Sequence, residues 1–206
     1  MNRWHDLRPR LITSIFIGAC TIVLLLLPQP LQIVLLLVWA GLVMHEAVKL
    51  VHQSQTRVWF KSIFLLTISL GLAATLWLVG LQYGLLLLVI SVWTFDVSAY
   101  FGGKHIGGRK LAPSISPGKT WSGLLTGIVA LSMAYGLIGL GLWLLLVAPL
   151  AGIVMQGSDL LQSAMKRGAY VKDSGNTLPG HGGWLDRYDS TMAAAPLWVL
   201  LLEFVI

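Results

Sequence analysis

The sequence predicts an all-α integral membrane protein of about seven transmembrane helices, with its N-terminus cytoplasmic and its C-terminus outside. Three observations predict this. Hydrophobic residues fill 56% of the 206 positions and charged residues only 11%, against roughly 25% charged in a soluble domain. The apolar residues fall into runs, and each run of about 20 residues crosses a bilayer as one helix. All 14 Lys and Arg residues fall in alternate loops between those runs, the pattern of basic residues retained on the cytoplasmic side.

The first run is Leu11 to Leu27, closed by Pro28-Gln29-Pro30. Within it, Ile17-Gly18-Ala19-Cys20 has a faint likeness to a lipoprotein cleavage box. Apolar sequence continues well past it, so a plain span with a buried thiol is the preferred reading. Cys20 is the single cysteine, which rules out an internal disulfide and a cysteine-rich metal site. Leu31 to Met44 is the second run and continues as helix through Leu50. Ser62 to Leu81 is the third, and Gly84 to Phe101 the fourth, interrupted by Asp96. No charged residue occurs between Lys119 and Asp159, a gap long enough for two spans with a turn at 136–141. Met192 to Ile206 is a short final span carrying Glu203. No internal repeat or linker divides the chain. It reads as one polytopic domain over 1–206, with N-terminal spans (1–95), a chemically rich half (96–190) and a last span (191–206).

Arg3, Arg8 and Arg10 precede the first span, and Lys49, Arg57 and Lys61 lie between the second and third. Lys104, Arg109, Lys110 and Lys119 follow the fourth, and Lys166, Arg167, Lys172 and Arg187 follow the sixth. An even number of spans would put some of these on the wrong side. The net charge of +6 suits anionic lipid or phosphate-bearing substrates better than nucleic acid, because the basic residues sit in short loops between apolar runs.

Two clusters carry chemistry. The larger runs from Asp159 through Ser163 to Ser190. With the sixth helix extended to about Tyr170, Asp159, Ser163, Lys166, Arg167 and Tyr170 recur at spacings of three and four and share one face. A carboxylate, a hydroxyl and two cations on one face suit a metal-bridged polyphosphate. The competing reading is a helix end with cations snorkelling into headgroups, which leaves Asp159 unexplained. Asp186 and Asp189 stand at the start of the last helix, where one carboxylate would serve as a cap. Together with Asp159 and Asp173 they offer the hard oxygen ligands Mg²⁺ prefers, with Asp159 and Asp186 the first choices. Pro179-Gly180-His181-Gly182-Gly183 is turn-rich. Its glycines allow close backbone approach to a ligand, and His181 is a candidate base or phosphate donor.

The second cluster begins at Asp96. A carboxylate at membrane depth costs on the order of 3 kcal/mol and is by default a functional candidate facing the bundle interior; the competing reading is a structural ion pair. Ser114-Ile115-Ser116-Pro117-Gly118-Lys119-Thr120 ends like a phosphate-binding loop. Its first glycine should stand at 113, where Pro113 is found, and no strand is expected before it, so the P-loop reading fails. Lys119 beside Ser116 and Gly118 at a helix start still offers charge and N–H groups to phosphate.

Taken together, the two clusters resemble the phosphatidate cytidylyltransferase (CDP-diacylglycerol synthase) family. Ser163, Lys166, Arg167, Lys172, Asp173, Gly175, Leu178, Pro179, His181, Gly182, Gly183, Asp186, Arg187 and Asp189 fill the family signature at its spacing. Asp96 to Lys104, Leu111 to Pro113, Ser116 to Trp121 and Gly157 to Leu160 also resemble it, so the likeness covers roughly 96–190. Trp184 and Tyr188 depart from the aliphatic residues usual there and are expected to serve packing. The resemblance implies transfer of CMP from CTP to phosphatidic acid, giving CDP-diacylglycerol and pyrophosphate, in the cytoplasmic (inner) membrane with the site facing the cytoplasm. It implies Mg²⁺, with room for a second cation, on Asp159 and Asp186 with Ser163 and Asp189 in support. Phosphates fall to Lys119, Lys166, Arg167, Lys172 and Arg187, and Asp96 and Asp173 orient those cations. A homodimer is compatible with this resemblance. A CDP-alcohol phosphotransferase would need an Asp-Gly pair followed by Ala-Arg, an order absent here. A transporter or non-catalytic subunit would spread its intramembrane charges along the spans. A cytidylyltransferase for another lipid phosphate, such as an ether lipid, stays open.

Overall fold

A computed structural model describes residues 3–81, 83–138, 143–180 and 182–204 of the chain. His181 and the second half of the turn expected at 136–141, residues 139–141, lie outside the described residues. Seven α-helices are seen among them: α1 (Arg3–Leu26), α2 (Gln29–Gln53), α3 (Val58–Leu78), α4 (Gly84–His105), α5 (Trp121–Ile138), α6 (Trp143–Gly168) and α7 (Thr191–Phe204). Each matches an apolar run, because the backbone in hydrocarbon must satisfy its own hydrogen bonds and the helix does so within one segment. Five helices, α2 to α6, are long and apolar enough to cross a membrane. The apolar parts of α1 and α7, Ile12–Leu26 and Thr191–Glu203, are shorter.

The fold is not purely helical. A two-stranded antiparallel hairpin, β1 (Lys110–Ala112) and β2 (Ser116–Thr120), stands between α4 and α5. Its pairs are Lys110 with Thr120 and Ala112 with Ser116. Pro113 and Pro117 disfavour helix in this segment and leave short extended pieces on either side of a turn. A strand therefore does precede Ser116. It runs into an extended return strand rather than a phosphate-cradling curl, so the P-loop reading still fails. Thr120 ends the hairpin and caps α5: its buried hydroxyl accepts from Gly123 N at 3.1 Å, satisfying a free N–H of the first turn.

The loops converge at one end of the bundle. Thr13 of α1 donates to Pro179 O at 2.9 Å, Gln55 N to Gly168 O at 2.9 Å, and Ser190 Oγ to Asp96 Oδ1 at 3.0 Å. At the far end Gln29 donates to Val79 O at 3.1 Å and Trp77 Nε1 to Glu203 Oε1 at 2.8 Å. Glu203, puzzling in an apolar run, thus has a tryptophan partner.

Between these ends the interior holds Leu78, Leu88, Phe95, Leu131 and Met155, with Val43, Phe64, Ile68 and Met165 nearer the loop end. The Tyr135 hydroxyl and Trp198 Nε1 both reach Ser91 Oγ, at 3.1 and 3.0 Å, linking α4, α5 and α7. Helices α4 and α5 meet over small residues. A Cβ on Gly102 would collide with Thr126 Oγ1, and one on Gly127 would lie 2.8 Å from the Phe95 ring. Close backbone approach over glycine is how helices associate where lipid removes the hydrophobic drive. Gly102→Ala is expected to cost about 1 to 3 kcal/mol through overpacking, read as a lower melting temperature in detergent.

Candidate active site

The site is built on α6, where apolar sequence gives way to Gln156, Asp159, Gln162, Ser163 and Lys166 on neighbouring turns. Asp159 is buried and forms an ion pair with Lys119 Nζ at 2.6 Å. Gln156 Nε2 donates to its Oδ2 at 3.2 Å. The Asp189 carboxyl lies close enough to Asp159 for the two to interact electrostatically. Ser158 Oγ donates to Asp189 O at 2.6 Å, and Asp189 Oδ1 accepts from Ser190 N at 2.9 Å. Asp96 approaches from α4 through Ser190 Oγ. Because α4 runs on to His105 rather than ending near Phe101, Asp96 lies about 2.5 turns inside the helix. It has no ion pair among the described residues, although Lys119 and Arg187 both act on it electrostatically.

Three carboxylates are thus drawn together around one lysine. Asp189 is held well above the usual carboxylate range, first by desolvation and then by the negative charge of Asp159, the hydrogen bond between them, and Asp96. Two neighbouring carboxylates resist a second ionisation. Desolvation works against the Lys119 charge, yet the Asp159 carboxylate outweighs it and raises the ammonium above its ordinary value.

The second centre is Asp186, in a single 3-10 turn, Leu185–Arg187. Lys166 Nζ lies 2.7 Å from its Oδ1, and Gln162 Nε2 reaches the same oxygen at 3.5 Å. Its Oδ2 accepts from Ser174 N at 2.7 Å, Ser174 Oγ at 2.9 Å and Gly183 N at 3.0 Å. Burial pushes this carboxyl up, but Lys166 and the backbone donors outweigh it and hold it below the ordinary carboxylate range. Both oxygens of Asp186 are thus engaged by protein donors. Asp186 organises the loop and orients Lys166, which also acts electrostatically on Asp159.

The glycines of this loop have the same cause. Gly182 has φ +80°, and a Cβ there would lie 2.7 Å from Asp186 Oδ2; one on Gly183 would collide with Glu46 Oε2. Their bareness makes room for the protein's own carboxylates.

Other expected residues are spread more loosely. Ser163 lies on α6, half-buried between the two centres, and Ser116 opens β2. Arg167 Nε donates to Ile115 O at 3.2 Å and so ties the hairpin to α6. Lys172 and Asp173 are exposed, without an ion pair among the described residues. Tyr170 leaves the shared face: α6 ends at Gly168, and Tyr170 takes a left-handed backbone (φ 58°) and is exposed. Cys20 is exposed rather than buried. Sequence reasoning missed Glu46, Ser174, Thr177 and Gln162. The signal for Glu46 was present, a lone carboxylate inside an apolar run, the same argument that singled out Asp96.

A cavity of about 570 Å³ runs beside the site between α1, α2 and α4. Its walls are apolar, including Leu24, Leu36 and Val92, and its polar end is formed by Asp96 and Arg187. Trp184 and Tyr188 line it too, and the Tyr188 ring meets Trp39 edge-on at 4.8 Å. Both aromatic departures from the signature therefore serve packing.

No set of three acidic, His or Cys side chains among the described residues is arranged to hold a metal ion. The neighbouring pair Asp159 and Asp189, with Asp96 close by, supplies hard oxygen donors whose mutual repulsion a cation would relieve. That donor set fits Mg²⁺, which commonly takes one or two carboxylates and completes its shell with water and substrate phosphate.

A model of the cytidylyltransferase family matches residues 56–205. A phosphatidate cytidylyltransferase of Rickettsia bellii is 34% identical over 204 residues, covering 91% of this chain and 87% of the relative. One of Rickettsia prowazekii is 40% identical over 120 residues, covering 52% of this chain and 53% of the relative. One of Brucella abortus is 48% identical over 116 residues, covering 53% of this chain and 43% of the relative. The alignments with these last two thus span only about half of each relative's length. Together with the site at the loop end of the bundle, these matches establish that the chain belongs to the cytidylyltransferase family.

Proposed function

We propose that the protein transfers CMP from CTP to phosphatidic acid, giving CDP-diacylglycerol and pyrophosphate. The observation that carries this is the apolar cavity ending at Asp96 and Arg187, beside the Lys119–Asp159–Asp189 cluster. A lipid with an anionic head has one place for its tails and another, adjacent, for its phosphate. An oxygen of that phosphate attacks the α-phosphorus of CTP while the bond from the α-phosphorus to the bridging oxygen breaks, and pyrophosphate departs with that oxygen.

Such transfers depend on positioning and charge neutralisation. Arg187, at the polar end of the cavity, holds the lipid phosphate. Lys119 and Lys166 face the triphosphate, with Arg167 and Lys172 at the open side. Asp159 and Asp189 would hold Mg²⁺, and Asp96 stands where a second cation would be shared. The bound ion would neutralise phosphate charge around the attacking and leaving oxygens. Ser163, between the two centres, supplies a hydroxyl to the phosphates.

In this reading α1 and α7 join α2 to α6 as seven spans. The loop end, which carries the basic residues, faces the cytoplasm of the inner membrane, where CTP is available, and the C-terminus lies outside. A homodimer within the membrane is compatible with this arrangement.

Labelled CTP and phosphatidic acid, with purified protein and Mg²⁺, are expected to yield a lipid-soluble labelled product. Absence of product from folded protein across several lipid phosphates, ether lipids included, would overturn the proposal. A reporter fused after Ile206 is expected to report outside; a cytoplasmic signal would refute the seven-span arrangement.

A further inference from the structure

We propose that Glu46, on α2 and remote in sequence from both chemical clusters, is a positioning residue that sets the affinity for CTP by holding the strap residues Ser174, Thr177 and Leu185 in place around Asp186. This rests on the CMP-transfer reading above. Glu46 belongs to the stripe Val43, Glu46, Ala47 and Leu50, which turns inward from α2, and it is only 4% exposed. A carboxylate this deep is costly unless its lone pairs are satisfied. No cation pairs with it among the described residues. The strap satisfies it instead: Thr177 Oγ1 donates to Oε1 at 2.8 Å, Leu185 N to Oε2 at 2.9 Å, and Ser174 Oγ lies 3.3 Å from Oε2.

The same strap supplies the donors of Asp186. Ser174 bridges the two carboxylates, with its N and Oγ on Asp186 and its Oγ also near Glu46. Leu185, bonded through its N–H to Glu46, directly precedes Asp186. Gly175 and Gly183 close over Glu46, since a Cβ on Gly175 would lie 2.8 Å from its Oε1. The chain of contact therefore runs from Glu46 through Ser174 and Leu185 to Asp186, and from there to Lys166. Loss of Glu46 leaves Thr177 Oγ1 and Leu185 N without their acceptor, and the support that Leu185 and Ser174 give to Asp186 loosens. Lys166 is then displaced from the phosphates, while Asp96 and the apolar walls of the cavity, on α1, α2 and α4, stay in place.

The test uses the full chain in detergent or nanodiscs, with KM measured separately for CTP and for the lipid phosphate. Glu46→Ala is expected to raise KM for CTP at least ten-fold and KM for the lipid by a clearly smaller factor, since Arg187 shares the turn with Asp186 but Asp96 and the cavity walls do not. Glu46→Gln keeps an acceptor for Leu185 N and a polar partner for Thr177, and is expected to stay within about three-fold of wild type. Thr177→Val, which removes one donor from the strap side, should shift KM for CTP in the same direction by a smaller factor and report even if Glu46→Ala fails to fold. Leu131→Ala, a change in the other core cluster, which holds no strap residue, should lower the melting temperature without moving either KM. A purely structural Glu46 would lower the active fraction, and so kcat, with both KM values unchanged; that outcome overturns the proposal, as does an equal rise in both. Failure of the wild-type chain to transfer CMP would instead defeat the functional reading itself.

Discussion

Asp159→Asn is expected to reduce CMP transfer about a thousand-fold, equivalent to about 4 kcal/mol of transition-state stabilisation, and to leave folding nearly unchanged. Asp159 pairs with Lys119 and lies close to Asp189. Neutralising it removes a hard anionic donor from the pair that fits Mg²⁺, and an amide oxygen is a much weaker ligand. The fold tolerates the change for two reasons. The ion pair with Lys119 is lost, but the Lys119 side chain is 37% exposed and can be solvated, so the loss is modest, within about 1 kcal/mol. The amide oxygen left at this position still offers the Asp189 carboxyl an acceptor. Transfer activity across a Mg²⁺ titration, with melting temperature measured in parallel, checks both halves. Retained activity at low Mg²⁺ would remove Asp159 from the metal site.

Asp186→Asn is expected to behave differently, losing stability and activity together. Here the partners are enclosed, with side-chain exposures of 13% for Lys166 and 2% for Asp186. Breaking a buried pair by removing one partner leaves an uncompensated charge and costs about 3 to 5 kcal/mol. Acidification should show the same group. Its folded pKa is depressed, so its contribution is present above the unfolded carboxylate value near ~4 and is lost as pH falls through the lower folded value. Wild-type melting temperature should drop steeply below about pH 4, and Asp186→Asn should flatten that drop. An Asp186→Asn protein as stable as wild type but inactive would place Asp186 in the metal site.

Much of the arrangement was legible in the chain because hydropathy and charge report directly on a lipid environment. The runs anticipated α1 to α7 to within a few residues at most ends, and the basic residues marked the end of the bundle where the loops meet. The hairpin escaped because it is short, lies between glycines and prolines, and owes its form to turn chemistry rather than periodicity. Tyr170 was misplaced because a left-handed residue after Gly168 ends the helix, and helical spacing alone does not reveal its last turn.

For the site, residue types identified the participants but not their partners. Asp159, Asp186 and Asp189 read alike in sequence, as carboxylates near a helix end. Only the tertiary structure separated them, setting Asp159 and Asp189 against each other and surrounding Asp186 with donors. Glu46 shows the same division, standing in sequence as one acid in an apolar run and in space as the anchor of a loop 128 positions later at Ser174. The sequence by itself determined the membrane-embedded class, the order of helices and the phosphate-directed chemistry, since these follow from composition and local spacing. Which partners each carboxylate meets was decided by the fold, because that depends on which donors long-range packing places within about 3 Å of each oxygen.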